Sequence, residues 1–287
     1  MALTQGILLG LLAMAGWGFA DFFAKLLVPK IGVRRTVFWE LSILSFIVLP
    51  FLLYSGVPEV TPGSLLIFLI VLITQLSGLL LFYKGLDVGK VSIVSPISSA
   101  YPLIAVFAGI FLLGEALSTL HSVGIILIIL GTVLVSAKIS ELVKLKKSSL
   151  SAGASYGLLA MFSWGIMMVA LKYLVELWGI FLPTFSFAVS SALMILLYSG
   201  SFGKGLSFSR KYAYLLLLLT AFDALGFLSF NAGLLSGLLS IVAPVSASFP
   251  FVTVTLAAFF LRERLAGIQY AGIAGILTGL VLLSLNI

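Results

Sequence analysis

Two acidic side chains lie inside long apolar stretches of this sequence. Asp21 belongs to the apolar run that starts near the N-terminus, and Asp223 lies within LLLLTAFDALGFLSFNAG. Burying an ionised carboxylate among apolar groups is costly unless something neutralises it, so such acids usually face a partner, a cavity or a ligand. Either residue is therefore a candidate for binding an amine or a proton.

Asp21 shares a helical face with an aromatic and a basic residue. Trp17 stands one turn before it and Lys25 one turn after it, and this spacing places the three side chains together on a helix. Two interpretations stay open. Trp17 and Asp21 could form an aromatic and anionic platform for an amine, or Asp21 and Lys25 could form a local ion pair.

Asp223 has no basic residue within one turn along its own helix. An acid in apolar surroundings favours its protonated form, so a proton and a substrate amine could neutralise Asp223 alternately. The alternative is a protonated Asp223 that donates a hydrogen bond to a neighbouring helix.

Other polar side chains lie in the apolar runs, and several of them surround two pairs of prolines. A proline inside a helix removes a backbone hydrogen bond and kinks the helix, which frees a carbonyl for a ligand or for a serine hydroxyl. Such breaks favour a cavity wall, and a kink that only improves packing is the alternative. The candidate substrate-binding residues are Trp17, Asp21, Gln75, Tyr83, Ser95, Ser98, Ser99, Tyr101, Trp164, Asp223, Asn231 and Ser246. The candidate gating residues are Pro96, Pro102, Pro244 and Pro250.

The composition is that of an integral membrane protein. Of 287 residues, 62% are hydrophobic and 9% are charged, which leaves too little polar surface to cover a soluble globule. The net charge of +7 comes from Lys and Arg in the gaps between apolar runs, where anionic lipid rather than nucleic acid accounts for them. The sequence has no cysteine, HExxH pair or P-loop, and we expect no enzymatic activity, cofactor or metal site.

Apolar runs of about 20 residues predict ten membrane-spanning helices, and hence an all-α membrane protein. The predicted spans 1 to 10 cover residues 4–27, 36–54, 64–83, 91–113, 120–137, 152–175, 180–198, 212–234, 238–261 and 266–285. His121 begins span 5 at the side poor in basic residues, and we expect it at the surface.

Parts of the sequence occur twice. Residues 86–117 recur as residues 234–265 with 13 of 32 positions identical, including two prolines and a glutamate. In addition, GLLAMAGWG at residues 10–18 recurs as GLLAMFSWG at residues 157–165. This recurrence in register indicates an internal duplication.

The duplication predicts two five-helix repeats, over residues 1–137 and 152–287, joined by a basic cytoplasmic linker over residues 138–151. Five spans per repeat place the repeats in opposite orientations, as in many secondary transporters. The loops that follow odd-numbered spans, together with Lys25, hold 15 of the 16 basic residues, and only Lys172 lies opposite. The positive-inside rule therefore places both termini outside the cytoplasm.

The Trp-Gly pairs of spans 1 and 6, the proline pairs of spans 4 and 9, and the endings GEAL (114–117) and RERL (262–265) together resemble the drug/metabolite transporter superfamily. The resemblance is to its ten-helix EamA-type branch and covers the whole chain. It implies a central cavity walled by spans 1, 3, 4, 6, 8 and 9, with spans 5 and 10 packed together at the side. It also implies export or exchange of amino acids, other metabolites, nucleotide sugars or drugs.

The resulting functional prediction is a secondary transporter, an exporter or exchanger of a small polar or amphipathic metabolite such as an amino acid. We expect it to work by alternating access, as a monomer in the cell membrane, with no nucleic-acid partner. Two other classes stay open at this point. One is an intramembrane hydrolase that uses Asp21 and Asp223, and the other is an uncoupled channel.

Overall fold

The computed structural model describes residues 2–89, 91–137, 147–199 and 206–285, and the regular structure in these ranges is entirely helical. The α-helices are α1 (Ala2–Ile31), α2 (Val33–Ser55), α3 (Pro62–Val88), α4 (Val91–Ser98), α5 (Pro102–Phe111), α6 (Thr119–Ser136), α7 (Lys147–Trp178), α8 (Phe181–Tyr198), α9 (Ala213–Ser236), α10 (Leu239–Ala247), α11 (Phe249–Phe260) and α12 (Gly267–Ser284). Ten segments are long and apolar enough to cross a membrane, with α4 and α5 forming the fourth and α10 and α11 the ninth. The prediction of a ten-span all-α membrane protein is therefore confirmed. Most of the predicted linker, residues 138–146, lies outside the described residues.

The fourth and ninth spans break at the predicted proline pairs. A turn separates α4 from α5, and Pro102 occupies the first position of α5, where a missing N–H costs no intrahelical hydrogen bond. The ninth span breaks at Ser248, and Pro250 lies in the first turn of α11. The Ser248 hydroxyl donates to the carbonyl of Val245 at 2.6 Å, so a side chain satisfies a backbone group at the break.

The two halves of the chain pack into each other. Helix α1 packs mainly against α9 and also against α11, while its sequence counterpart α7 packs mainly against α3 and also against α5. Equivalent glycines make equivalent contacts: a Cβ on Gly237 would lie 2.7 Å from the Cα of Gly6, and one on Gly89 would lie 2.5 Å from the Cα of Gly153. The first span of each half thus lies against the third and fourth spans of the other, so the two halves make equivalent contacts.

Helices α6 and α12, the fifth and tenth spans, pack closely against each other at small residues. A Cβ on Gly131 would lie 2.6 Å from the carbonyl oxygen of Gly272, and one on Gly279 would lie 2.5 Å from that of Gly124. Small residues let two helices approach this closely in a membrane. At the start of α6, His121 is only 8% exposed, so the expectation of a surface histidine is wrong. The reason is that α6 packs against α12 and α10 instead of facing water.

Large apolar side chains cover much of the outer surface. Phe46, Leu80 and Phe259 are 74%, 70% and 78% exposed, respectively. Such a surface would aggregate in water but suits the hydrocarbon of a bilayer. The helices therefore bury their few polar side chains inward and present apolar ones to lipid.

Candidate functional site: an acidic cavity between the two halves

A cavity of about 390 Å³ lies between the helices. Its wall comes from α1, α2, α3, α7, α8 and α9, together with Tyr101 in the turn after α4 and Phe249 at the start of α11. The volume falls within the range of about 300–1,000 Å³ that small-molecule sites occupy. The resemblance had implied a wall from spans 1, 3, 4, 6, 8 and 9, and the structure adds the second and seventh. They contribute because α2 and α8 pack on each other and against α9.

Three acidic residues, Asp21, Glu40 and Asp223, line this cavity, and we call them the acid cluster. Asp21 stands ten residues before the end of α1 (31 − 21), Glu40 seven after the start of α2 (40 − 33), and Asp223 ten after the start of α9 (223 − 213). At 1.5 Å of rise per residue, all three lie roughly 10–15 Å from the same end of the bundle. Asp223 and Asp21 both act electrostatically on Glu40, and Asp21 acts on Asp223. Carboxylates from three helices therefore share one site.

Asp21 faces the cavity and is not paired with its helical neighbour. Its side chain is exposed although it lies well inside α1, because it borders the open cavity. The Lys25 ammonium pairs instead with the Glu263 carboxylate at 2.5 Å, three residues after the ninth span ends at Phe260. The local Asp21–Lys25 ion pair that the sequence left open is therefore not formed.

Glu40 was missed by the sequence analysis. It lies near the start of the predicted span 2, where an acid is easily taken for a helix-end residue, but an acid inside any apolar span is itself a signal. A second signal was the repeated ending LLYSG at residues 52–56 and 196–200, which aligns Glu40 with Thr184. Both residues line the cavity.

Two tryptophans at equivalent positions of the two halves form aromatic walls. Trp17 contacts Phe227, Phe230 and Phe249 with ring centroids 5.5, 5.2 and 6.2 Å apart. Trp164 meets Tyr101 edge to face at 5.9 Å. Aromatic rings favour such edge and tilted arrangements.

Each tryptophan lies directly against a glycine of the other half. A Cβ on Gly226 would stand 2.5 Å from Cδ1 of Trp17, and a Cβ on Gly78 would stand 2.5 Å from Nε1 of Trp164. Only glycine leaves room for the indole at these two positions. The backbone of one half thereby sets where the aromatic wall of the other half lies.

Two side-chain amides complete the polar lining. The Asn231 amide nitrogen donates to the carbonyl of Ile180 at 2.8 Å and to the Thr184 hydroxyl at 2.9 Å, so it ties α9 to α8. The oxygens of Asn231 and Gln75 are buried and have no hydrogen-bond partner within the described part of the chain. Asn231 therefore satisfies a backbone group, while its oxygen is left available.

Seven of the twelve candidate binding residues line the cavity, and five lie elsewhere. Those that line it are Trp17, Asp21, Gln75, Tyr101, Trp164, Asp223 and Asn231. Tyr83 is 54% exposed at the surface, because Phe82 rather than Tyr83 is the residue of that turn that contacts Trp164.

The serines around the prolines bond to their own helices instead. Ser98 donates to the carbonyl of Ser95 at 3.0 Å, Ser99 to that of Pro96 at 3.1 Å, and Ser246 to that of Ala243 at 3.1 Å. Their hydroxyls thus serve backbone groups near the proline breaks. Ser95, Ser98, Ser99 and Ser246 are not among the residues that line this cavity, because the rotation of these short helices, which the sequence could not give, directs them elsewhere.

The fold and site define a class of protein. Ten spans in two repeated halves, with broken helices beside a cavity that holds three acids, are an architecture found among membrane transporters. The model of the EamA-like transporter family matches residues 4–137 and again residues 151–285, and the chain belongs to this family. The resemblance drawn from the sequence motifs is therefore confirmed.

Individual relatives match to different extents. An uncharacterized transporter of Archaeoglobus fulgidus is 24% identical over 97% of this chain and 98% of its own. An uncharacterized protein of Methanocaldococcus jannaschii is 34% identical over 98% of its own length, which corresponds to 47% of this chain. A crystal structure of another protein superposes with a TM-score of 0.73, at 16% identity, over 98% of both chains, and shows the shared fold.

Proposed function

We propose that this protein is a secondary transporter that exports or exchanges a small polar or amphipathic metabolite across the cell membrane. The observation that carries the proposal is the acid cluster, placed in a cavity of about 390 Å³ within a bundle of the EamA-like family. Acids inside a membrane protein usually mark the path of a substrate or an ion. The protein acts as a monomer, since each chain encloses a cavity of its own.

The broken spans supply the moving parts of an alternating-access cycle. Tyr101 lies in the break of the fourth span, and Phe249 directly follows the break of the ninth, and both line the cavity. A change of angle at either break would therefore move the cavity wall. Pro96, Pro102, Pro244 and Pro250 keep these breaks open because a proline cannot donate the hydrogen bond that would straighten the helix.

Two other functions make different predictions. Asp21 and Asp223 share the cavity and act on each other electrostatically, which is the arrangement that a two-carboxylate hydrolase would need. A hydrolase would release a product of changed mass. A channel would let its solute equilibrate but would not exchange one labelled molecule for another held at high concentration.

Counterflow in proteoliposomes tests the proposal. A thermal-shift screen of the purified protein against metabolite pools first identifies a stabilising ligand, because binding to the folded state raises apparent stability. Vesicles loaded with excess unlabelled ligand should then transiently accumulate labelled ligand from outside. The accumulated label should be chemically unchanged. Asp223→Asn should abolish this accumulation, whereas Asp87→Asn, at a surface ion pair with Lys84, should leave it intact. Equilibration without overshoot, or a product of new mass, would overturn the transporter proposal.

A further inference from the structure

The charge of the cavity is unbalanced. Asp21, Glu40 and Asp223 line it, and the described residues that form its wall include no Lys, Arg or His. On α1 and α7, the basic side chains nearest the cavity are already engaged: Lys25 pairs with Glu263, and Lys172 pairs with Glu176 at 3.0 Å. Carboxylates withdrawn from bulk water, above all Asp223, which is only 9% exposed, need a positive charge or a proton to offset the loss of hydration. A ligand that enters this cavity is therefore favoured if it brings a positive charge.

The uncharged polar groups of the cavity point to the same ligand. The buried oxygens of Gln75 and Asn231 are acceptors without a partner in the described part of the chain, and they add to the carboxylates. An ammonium group has three donors and no acceptor, so it complements a site rich in acceptors. A carboxylate on the ligand would instead meet three acids and no basic side chain on the described wall, where the indole N–H of Trp164 is the one buried donor without a partner.

The aromatic walls supply the second half of the recognition. Trp17 stands one turn from Asp21, with Phe227, Phe230 and Phe249 against it. Indole faces attract cations as well as apolar groups. Carboxylates next to an aromatic wall thus suit a molecule with an ammonium at one end and an apolar or aromatic body at the other. The cavity volume of about 390 Å³ limits this molecule to a small one.

We propose that the cavity selects a small organic cation, an amine with an apolar or aromatic body, held by the acid cluster and the wall around Trp17. This narrows the substrate class away from amino acids, whose carboxylate the cavity would repel. The transport of such a cation rests on the proposed function, but its binding does not.

A matched ligand series tests the charge preference without any mutation. Phenylethylamine, phenylethanol, phenylpropionate and phenylalanine share one aromatic body and differ in charge: cation, neutral, anion and zwitterion. Titration calorimetry on the purified parent protein near neutral pH should show phenylethylamine binding at least tenfold more tightly than each of the others. An amine that binds no more tightly than the alcohol or the amino acid would overturn the proposal.

Variants then locate the binding site. Asp223→Asn and Glu40→Gln should each weaken phenylethylamine at least tenfold and leave phenylethanol within twofold, whereas the surface variant Asp87→Asn should change neither. If one cluster variant does not fold, the other is used, and the ligand ranking on the parent protein remains decisive. Unchanged amine affinity in a folded cluster variant would contradict recognition by these acids.

The transport arm separates this proposal from the proposed function. Counterflow of labelled phenylethylamine by vesicles loaded with the unlabelled amine supports both. Tight binding of phenylethylamine without counterflow would contradict the transporter proposal but would still support the cation-binding site. Counterflow of phenylalanine in preference to the amine would support transport and overturn the cation proposal.

Discussion

The two halves of the molecule share their packing but not their chemistry. Trp17 against Gly226 and Trp164 against Gly78 are equivalent pairs with nearly identical clearances. The acids break this symmetry. The counterpart of Asp21 is Met168 (21 + 147), and that of Asp223 is Gln75 (223 − 148), and all four residues line the cavity.

The difference indicates which positions of the duplicated fold are constrained. At the Trp-Gly pairs a backbone lies against a ring, and an added methyl group has no room. A side chain that faces an open cavity meets no such limit, so its chemistry can differ between the halves. The repeat thus determines where the cavity is, and the asymmetric side chains determine what it can bind.

The largest expected effect is all-or-none and concerns the orientation of the two halves. With 15 of 16 basic residues on one side, the positive-inside rule places both termini outside the cytoplasm. A reporter that fluoresces only in the cytoplasm, fused after Ile287, should stay dark. Bright cells would reverse the orientation but would not affect the equivalence of the halves.

Substituting the paired glycines should destabilise both halves alike. Gly226→Ala and Gly78→Ala each place a methyl group within about 2.5 Å of an indole, and overpacking of this kind costs about 1–3 kcal/mol. The melting temperature of the purified variants measures the effect. Gly267→Ala is the control, because nothing lies within 4 Å of a Cβ at that position. A large loss in one half only would contradict the equivalence.

Removing the link between the halves at Glu115 should have a moderate effect. The two carboxylate oxygens of Glu115, in the first half, accept the backbone N–H groups of Leu239 at 2.7 Å and Ser240 at 2.9 Å, at the start of α10. Loss of a helix cap costs about 0.5–2 kcal/mol, so Glu115→Ala should lower the melting temperature. Asp87→Ala, which removes only an exposed ion pair, should leave it unchanged. Equal stability of the two variants would show that the cap contributes little.

The smallest expected effect is a partial recovery of phenylethylamine affinity when the acid at position 223 is moved to the equivalent position 75 of the other half. Asp223→Asn combined with Gln75→Glu places the lost acid on α3 of the other half, still on the cavity wall. Phenylethylamine affinity should return to within a few-fold of the parent protein, because a carboxylate attracts a cation from either wall. Calorimetry on the double variant checks this result. No recovery would mean that the position of the acid, and not only its charge, is required.

Much of the architecture could be predicted from the sequence because its causes are local. Span length follows from the thickness of the bilayer, and each proline pair removes backbone donors wherever the helix goes. The duplication is evident in the sequence itself, so the equivalence of Trp17 and Trp164 could be predicted from it. Asp21 and Asp223 stood out because an acid in an apolar span is costly in any fold.

Only the tertiary structure decided which side chains share the cavity. Glu40 joins Asp21 and Asp223 because α2 packs against α9, and Lys25 pairs with Glu263, just after the ninth span, rather than with Asp21 of its own helix. Helix periodicity gives the face on which a side chain lies but not the direction in which that face points. That direction depends on how each helix is rotated against its neighbours, and long-range contacts such as α1 with α9 and α3 with α7 set that rotation.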